Sequence, residues 1–369
     1  MKKKTVVVAM SGGVDSSVTA ALLKEQGYDV IGMMMRLWSE PGSEAENRCC
    51  TVDAMNLARR MAAQLEIPFY AIDAKDVFRK TVVQYFFDGY RQGITPNPCL
   101  VCNMHIRWEF LLNRALALGA DFMATGHYAR LLTADGGRQT AVGSPRSSSF
   151  EAIRLQKALD ENKDQSYVLH VLKQDQLKHA LFPLGDYTKP QVRDLARKFD
   201  LPVAERSDSQ DLCFLGNGTY AEFLERNAPE VNRPGPMLNS AGEEIGQHRG
   251  LAYYTIGQRR GLGIAAPEPL YVIQKDNNKN SLLIGPKESL GRKQLTAREA
   301  NWISGSPPES PFRAQIKIRY KADFAWGLVT PQSNNGFQIE FDEQLRDITP
   351  GQAAVIYNED ICLGGGIIE

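Results

Sequence analysis

Apolar residues near the N-terminus fall in blocks with two different spacings. Residues 5–10 form a short β-branched and apolar run, residues 16–26 repeat apolar positions at Val18, Leu22 and Leu23, and residues 29–35 return to an apolar run. Short apolar runs suit buried strands and a 3.6-residue spacing suits a helix, so the pattern predicts strand, loop, helix and strand. The alternation continues as helix 51–65 with strand 68–72, then helix 105–118 with strand 121–125. Strands alternating with helices predict a parallel sheet covered on both faces. Helical segments are expected near 163–181 and 189–199, and residues 133–150, rich in Gly, Ser and Arg, read as an exposed hairpin or loop.

Beyond about residue 217 the pattern changes. Pro229, Pro234, Gly235 and Pro236 crowd together, and short polar strands are expected through 245–290. From about 294 onward, alternating runs at 313–320, 324–330, 337–341 and 353–357 are separated by turn residues, which predicts a small β-barrel. The expected architecture is α/β: a doubly wound parallel-sheet domain over 1–217, a small β-rich middle domain over 218–293, and a C-terminal β-barrel over 294–369. A chain of 369 residues is too long for one ordinary core, in keeping with several domains.

Composition excludes more than it suggests. No apolar run approaches the roughly 18 residues of a membrane helix. Lys2, Lys3 and Lys4 followed by Val6–Met10 look like a signal peptide, but the apolar stretch is short and enters a Gly-rich loop. It reads as a first strand, and the protein as cytoplasmic. The net charge of zero gives no support to nucleic-acid binding, and residues 294–369 hold six Lys and Arg against ten Asp and Glu. Six irregularly spaced cysteines (Cys49, Cys50, Cys99, Cys102, Cys213 and Cys362) in a cytosolic chain point to buried, catalytic or metal-binding thiols more than to structural disulfides.

The chemistry begins at Ser11-Gly12-Gly13-Val14-Asp15-Ser16-Ser17, after a strand and opening a helix. Glycines admit an anion to the backbone, and a helix N-terminus offers unpaired N–H groups. The lysine of a Walker loop is missing. The loop resembles the PP-loop of ATP pyrophosphatases; the bland reading is a helix start capped by Ser11. Asp15 is a candidate Mg²⁺ ligand, since hard cations take carboxylate oxygen.

The second feature is Thr95-Pro96-Asn97-Pro98-Cys99-Leu100-Val101-Cys102-Asn103, a proline-stiffened loop presenting two thiols. Alone it fits half a zinc site, a redox dithiol or a chance pair. Structural zinc is disfavoured, because there is no second CxxC and His105, His127, His170, His179 and His248 show no paired spacing. Cys213 follows the polar run Ser207–Asp211, which favours a reactive thiol over a core residue.

In this order, SGGVDSS, TPNPCLVCN, ATGHYAR (124–130), KDQSY (163–167), SDSQDLCFLG (207–216), YYTIGQRRGLG (253–263) and PGQAAVIY (350–357) resemble the bacterial tRNA-specific 2-thiouridylase family (MnmA/TrmU) along the whole chain. The resemblance implies an adenine nucleotide α hydrolase-like domain that binds ATP through Ala9, Met10, Ser11, Gly12, Gly13, Val14, Asp15, Ser16, Met35 and Gly126. It makes Cys102 the nucleophile and Cys213 the carrier of persulfide sulfur. Asn97, Pro98 and Cys99 would meet the target base. His127, Lys163, Asp164, Gln165, Arg319, Tyr320 and Gln352 would touch tRNA, with the C-terminal barrel contributing. Implied partners are tRNAs reading Lys, Glu and Gln codons and a cysteine desulfurase or sulfur carrier, for a monomer acting away from membranes.

One position departs from the better-known motif, NPDxxCN: residue 99 is Cys where an Asp would serve as a general base. An ordinary thiol titrates near ~8.5, so either Cys99 works as a depressed-pKa thiolate or the proton step is done elsewhere. The substitution also admits an iron–sulfur cluster on Cys99, Cys102 and Cys213. A PP-loop ligase that amidates an adenylated intermediate is the competing enzyme class, and it leaves the cysteines idle.

Overall fold

The computed structural model describes residues 3–42, 51–133, 137, 152–206, 212–216 and 218–369. The expected 133–150 loop lies almost wholly outside the described residues, as do Cys49, Cys50 and Ser207–Asp211.

The first third folds as the alternating pattern predicts. Strands β1 (Thr5–Ala9), β2 (Asp29–Arg36), β3 (Phe69–Asp73), β4 (Phe122–Ala124), β5 (Arg130–Leu132), β6 (Arg154–Gln156) and β7 (Ala180–Leu181) appear in that order. Five of them make a sheet ordered β3-β2-β1-β4-β7 with every pairing parallel. Alternate residues of β1 serve different cores. Val6 and Val8 join Val18 and Leu22 of helix α1 (Val14–Glu25) on one face, and Val7 joins Trp108 and Leu111 on the other. The sheet is therefore doubly wound, with its order reversing between β1 and β4.

Two expectations change, and one element is additional. Residues 163–181 are not one helix but two single turns, Ser166–Leu169 and Gln174–Leu177, before β7. Polar side chains there bond across the fold. Asp164 accepts from the backbone N–H of Ala158 at 2.9 Å and from Ser166 Oγ at 2.7 Å, and the Gln174 amide donates to the Ile153 carbonyl at 2.8 Å. The helix expected at 105–118 starts at Pro98, whose fixed φ suits a first helical residue, and runs to Ala117. Its Cys102–Leu111 stretch is π-helical, a form common at functional sites. A further helical run, Lys75–Arg91, was not anticipated; it buries Phe78, Val82, Val83 and Phe86.

The middle unit is a four-stranded sheet of β8 (Gly235–Leu238), β9 (Glu244–His248), β10 (Tyr271–Asp276) and β11 (Ser281–Gly285), ordered β10-β11-β8-β9. The last unit is a closed barrel. Its strands are β12 (Arg292–Trp302), β13 (Phe312–Lys317), β14 (Ala325–Gln332), β15 (Gly336–Leu345), β16 (Ala353–Asn358) and β17 (Ile361–Ile368), and β12 pairs with β17 to seal it. Strand β17 also pairs with β6, so the β5–β6 hairpin of the first unit extends the barrel sheet. That seam fixes the barrel against the parallel-sheet unit. Among the described residues, no helix is long and apolar enough to cross a membrane.

Candidate active site

Ligands of open α/β sheets sit beyond the carboxyl ends of strands where the order reverses. Here that place lies after β1 and β4. The chain leaves β1 through Met10, whose N–H donates to the Met33 carbonyl at 2.8 Å, and turns at Gly12 with φ +72°. A Cβ on Gly12 would lie 2.6 Å from the Ala54 carbonyl oxygen, so no other residue fits. Helix α1 then starts with no side chain capping it, which leaves its first N–H groups without a side-chain acceptor from the cap. Internal bonds fold the loop on itself: Ser11 N–H donates to Ser16 Oγ at 3.2 Å, and Ser17 Oγ to the Gly13 carbonyl at 2.9 Å. Gly126, just past β4, approaches so closely that a Cβ would sit 2.9 Å from Ser16 N. Ala9, Met10, Ser11–Ser16 and Gly126 thus converge.

Asp15 does not wait there as a bare carboxylate. Lys189 Nζ reaches both of its oxygens at 2.7 and 2.9 Å, and the Tyr128 hydroxyl donates to Oδ1 at 2.8 Å. Arg206 donates to the Gly12 carbonyl at 2.7 Å. Sequence reasoning missed both cations, because nothing local ties residues 189 and 206 to residues 12–15. As a protein-held Mg²⁺ site this donor set does not fit: one carboxylate, already spanned by an ammonium. Among the described residues no three of His, Cys, Asp or Glu gather to hold a metal, so Cys99, Cys102 and Cys213 do not form the three-thiolate group of an iron–sulfur cluster either.

The thiol side is assembled from distant stretches. Thr95 N–H donates to the Pro350 carbonyl at 3.0 Å, and Gln352 Nε2 to the Thr95 carbonyl at 2.9 Å, so the barrel grips the entrance of the cysteine loop. Cys99 is exposed on the first turn behind Asn97 and buried Pro98. Asn103 Nδ2 donates to the Cys99 carbonyl at 3.1 Å, and Arg107 donates to Asn103 Oδ1 at 3.5 Å and to His127 Nε2 at 2.8 Å. With Nε2 accepting, the neutral ring carries its proton on Nδ1, which donates to Thr125 Oγ1 at 2.7 Å. Burial, reinforced by the Arg107 charge, holds His127 well below the usual histidine range. A chain of bonds therefore runs from the cysteine loop to the end of β4, beside the nucleotide cradle.

Cys102 and Cys213 are both half-buried, and both pack on one apolar cluster built from Phe78, Phe86, Phe214 and Phe223. Met35, at the end of β2, packs on the same cluster. The two thiols and Met35 thus border the same extended apolar cluster, which continues into the middle unit through Met237 and Tyr254.

The residues expected to touch tRNA are not alike. Asp164 is buried with its oxygens committed inside the protein, and burial pushes its carboxyl up. Gln165 exchanges two bonds with the Tyr128 backbone, at 2.8 and 3.0 Å, and Lys163 is half-buried. Arg319 pairs with Asp347. Tyr320 is half-buried, and burial first, then the charges of Asp164, Asp160 and Cys99, push its hydroxyl up.

A glycine turn that opens a helix at the reversal of a doubly wound parallel sheet defines an α/β architecture of the PP-loop class. Three family models cover the chain: a tRNA methyl transferase HUP domain over residues 4–217, a PRC-barrel domain over 221–286 and an aminomethyltransferase β-barrel domain over 292–368. The chain is 43% identical over 372 residues to the tRNA-specific 2-thiouridylase MnmA of Acetivibrio thermocellus, covering 100% of both. It is 46% identical over 365 residues to that of Roseiflexus castenholzii, covering 98% of both. The chain belongs to the tRNA-specific 2-thiouridylase family.

Proposed function

We infer that this protein is a tRNA-uridine 2-sulfurtransferase that adenylates the C2 oxygen of a wobble uridine and replaces it with sulfur. The observation that supports the reading is that Cys102, Cys213 and Met35 all border one apolar cluster. Methyl transfer, for which two of the matched domain families are named, has no use for an ATP loop and paired thiols; an amidating ligase has no use for the thiols.

The chemistry follows from the poor leaving group at C2. ATP is held by the Ser11–Ser16 loop, whose helix N-terminal amides stabilise charge on the phosphates. Attack of the C2 oxygen on the α-phosphate releases pyrophosphate and leaves an adenylate. The base reaches this site by leaving the anticodon stack, which costs a few kcal/mol; Asn97, Pro98, Cys99 and Tyr320 would receive it. Sulfur arrives as a Cys213 persulfide from a cysteine desulfurase or carrier. The Cys102 thiolate attacks the inner sulfur, forming the Cys102–Cys213 disulfide and freeing hydrosulfide. Hydrosulfide adds at C2, AMP departs, and loss of the sulfur-bound proton gives 2-thiouridine. Cellular thiols then reduce the disulfide.

The three units divide the work as catalytic domain (1–217), middle support (218–293) and tRNA-gripping barrel (294–369). We place the protein in the cytoplasm as a monomer acting on tRNAs for Lys, Glu and Gln. Nucleoside mass spectrometry of tRNA from cells whose only copy is Cys213→Ser tests the reading. Absence of 2-thiouridine with ATP binding intact supports it; undiminished thiolation ends it.

A further inference from the structure

The phosphate cradle contains a charge of the wrong sign for its ligand. Asp15 is the second residue of α1, at the end where the triphosphate belongs. Its carboxylate alone would repel a polyanion. A Walker loop offsets such repulsion with its own lysine; Ser11–Ser17 has none.

The fold delivers a lysine from 174 residues further along. Lys189 opens the helix Lys189–Lys198, where Thr188 and Gln191 form a capping box and the Lys189 N–H donates to Asp160 Oδ2 at 2.9 Å. These bonds fix the backbone, so the side chain is aimed before any ligand arrives. The residue is 8% exposed, unusual for lysine outside a pair. Its ammonium spans both Asp15 oxygens, and the Tyr128 hydroxyl locks the carboxylate's orientation.

We propose that Lys189 is the charge-compensating residue of the ATP cradle, cancelling Asp15 so that the open amides of α1 meet the triphosphate with no net negative charge beside them. The proposal deepens the adenylating reading above and rests on it for the ligand. Lys189 is a positioning residue acting through Asp15. Compensation comes from a lysine supplied across the fold, in place of a metal ion held by that carboxylate.

The test uses full-length protein without tRNA and measures equilibrium binding of ATP and of uncharged adenosine. Lys189→Met raises the Kd for ATP by ~30-fold or more and leaves that for adenosine within ~2-fold, because only the phosphates feel the exposed carboxylate. Asp15→Asn combined with Lys189→Met restores ATP affinity to within ~5-fold of the parent, since the charge needing compensation is gone. If the double variant binds ATP as poorly as Lys189→Met, Lys189 touches phosphate itself and the proposal falls. Equal losses for ATP and adenosine mean a collapsed loop and overturn it too. Should Lys189→Met not fold, Asp15→Asn alone decides: unchanged or tighter ATP binding supports compensation, and a tenfold loss refutes it. No uridine or sulfur enters the assay, so failure of the thiolation reading is seen separately, in tRNA nucleosides.

Discussion

The two halves of the site are built in opposite ways. The backbone of the proposed nucleotide cradle is local: β1, a turn at Gly12 and the start of α1 occupy one continuous stretch, with Gly126 pressed against it and the side chains of Tyr128, Lys189 and Arg206 brought to it from afar. The thiol half comes from three remote stretches: the Thr95–Arg107 region, Cys213, and Pro350–Gln352 of the barrel. A local motif keeps its geometry while its own strand and helix survive. A distributed one depends on every unit being docked. Nucleotide binding and sulfur transfer should therefore be separable by mutation, and the barrel should matter to only one of them.

The largest effects come from cutting each half at its centre. Gly12→Ala places a Cβ against the Ala54 carbonyl at a left-handed φ, and should cut tRNA-dependent pyrophosphate release by ~100-fold or more. Cys213→Ser should reduce 2-thiouridine formation ~1000-fold or more while pyrophosphate release persists. Loss of ATP binding in Cys213→Ser would show that the halves are not independent. Next in size is Gly351→Ala. Gly351 has φ +90°, and an added Cβ would meet the Thr95 carbonyl oxygen at 2.8 Å, pushing the barrel off the cysteine loop. Thiolation kcat should fall ~10–100-fold with the Kd for ATP unchanged. Equal damage to both would assign the barrel a global role.

The same contrast explains what was legible in the sequence. SGGVDSS between a strand and a helix announces its own structure, since glycine turn, helix start and apolar strand are adjacent in the chain. The parallel sheet and barrel followed from spacing in the same way. Lys189, Arg206 and Arg107 were not legible, because their partners Asp15, Gly12 and His127 are distant in sequence. The helical pattern near 163–181 is realised only as the turns Ser166–Leu169 and Gln174–Leu177, because polar residues there bond to Ala158 and Ile153. The β5–β6 hairpin was invisible for a related reason: its three-residue strands gain their meaning from pairing with β17.

His127 links the halves, so its loss should be felt in stability before chemistry. His127→Ala leaves Arg107 and Thr125 without this buried partner, which should cost ~2–4 kcal/mol in urea unfolding near pH 7. The pH dependence has a definite sign. The folded state holds the ring neutral, while the unfolded chain takes up a proton below its ordinary pKa of 6.5. Stability should therefore fall as pH drops below about 6.5, and His127→Ala should flatten that part of the profile. An unchanged slope would mean that other groups control the acid limb.

The smallest effect lies outside both halves, where it tests whether the middle unit is scaffold only. Lys275 on β10 is half-buried, and its ammonium donates to the Tyr254 carbonyl at 2.9 Å. Burial pulls it down to about 8 from 10.5. Between about pH 8 and 10.5 the unfolded chain binds this proton more readily than the fold does. Stability should therefore rise with pH across that window, and below it the folded state bears the full penalty of a buried charge. Lys275→Met removes the penalty and leaves the Tyr254 carbonyl without this donor, two effects that partly cancel. The variant should be more stable than the parent by ~1–2 kcal/mol at pH 7, with the gain shrinking towards pH 10.5. Because Lys275 touches neither half, thiolation and ATP affinity should be unchanged. A loss of thiolation with ATP binding intact would place the middle unit on the sulfur side and extend the distributed half through all three units.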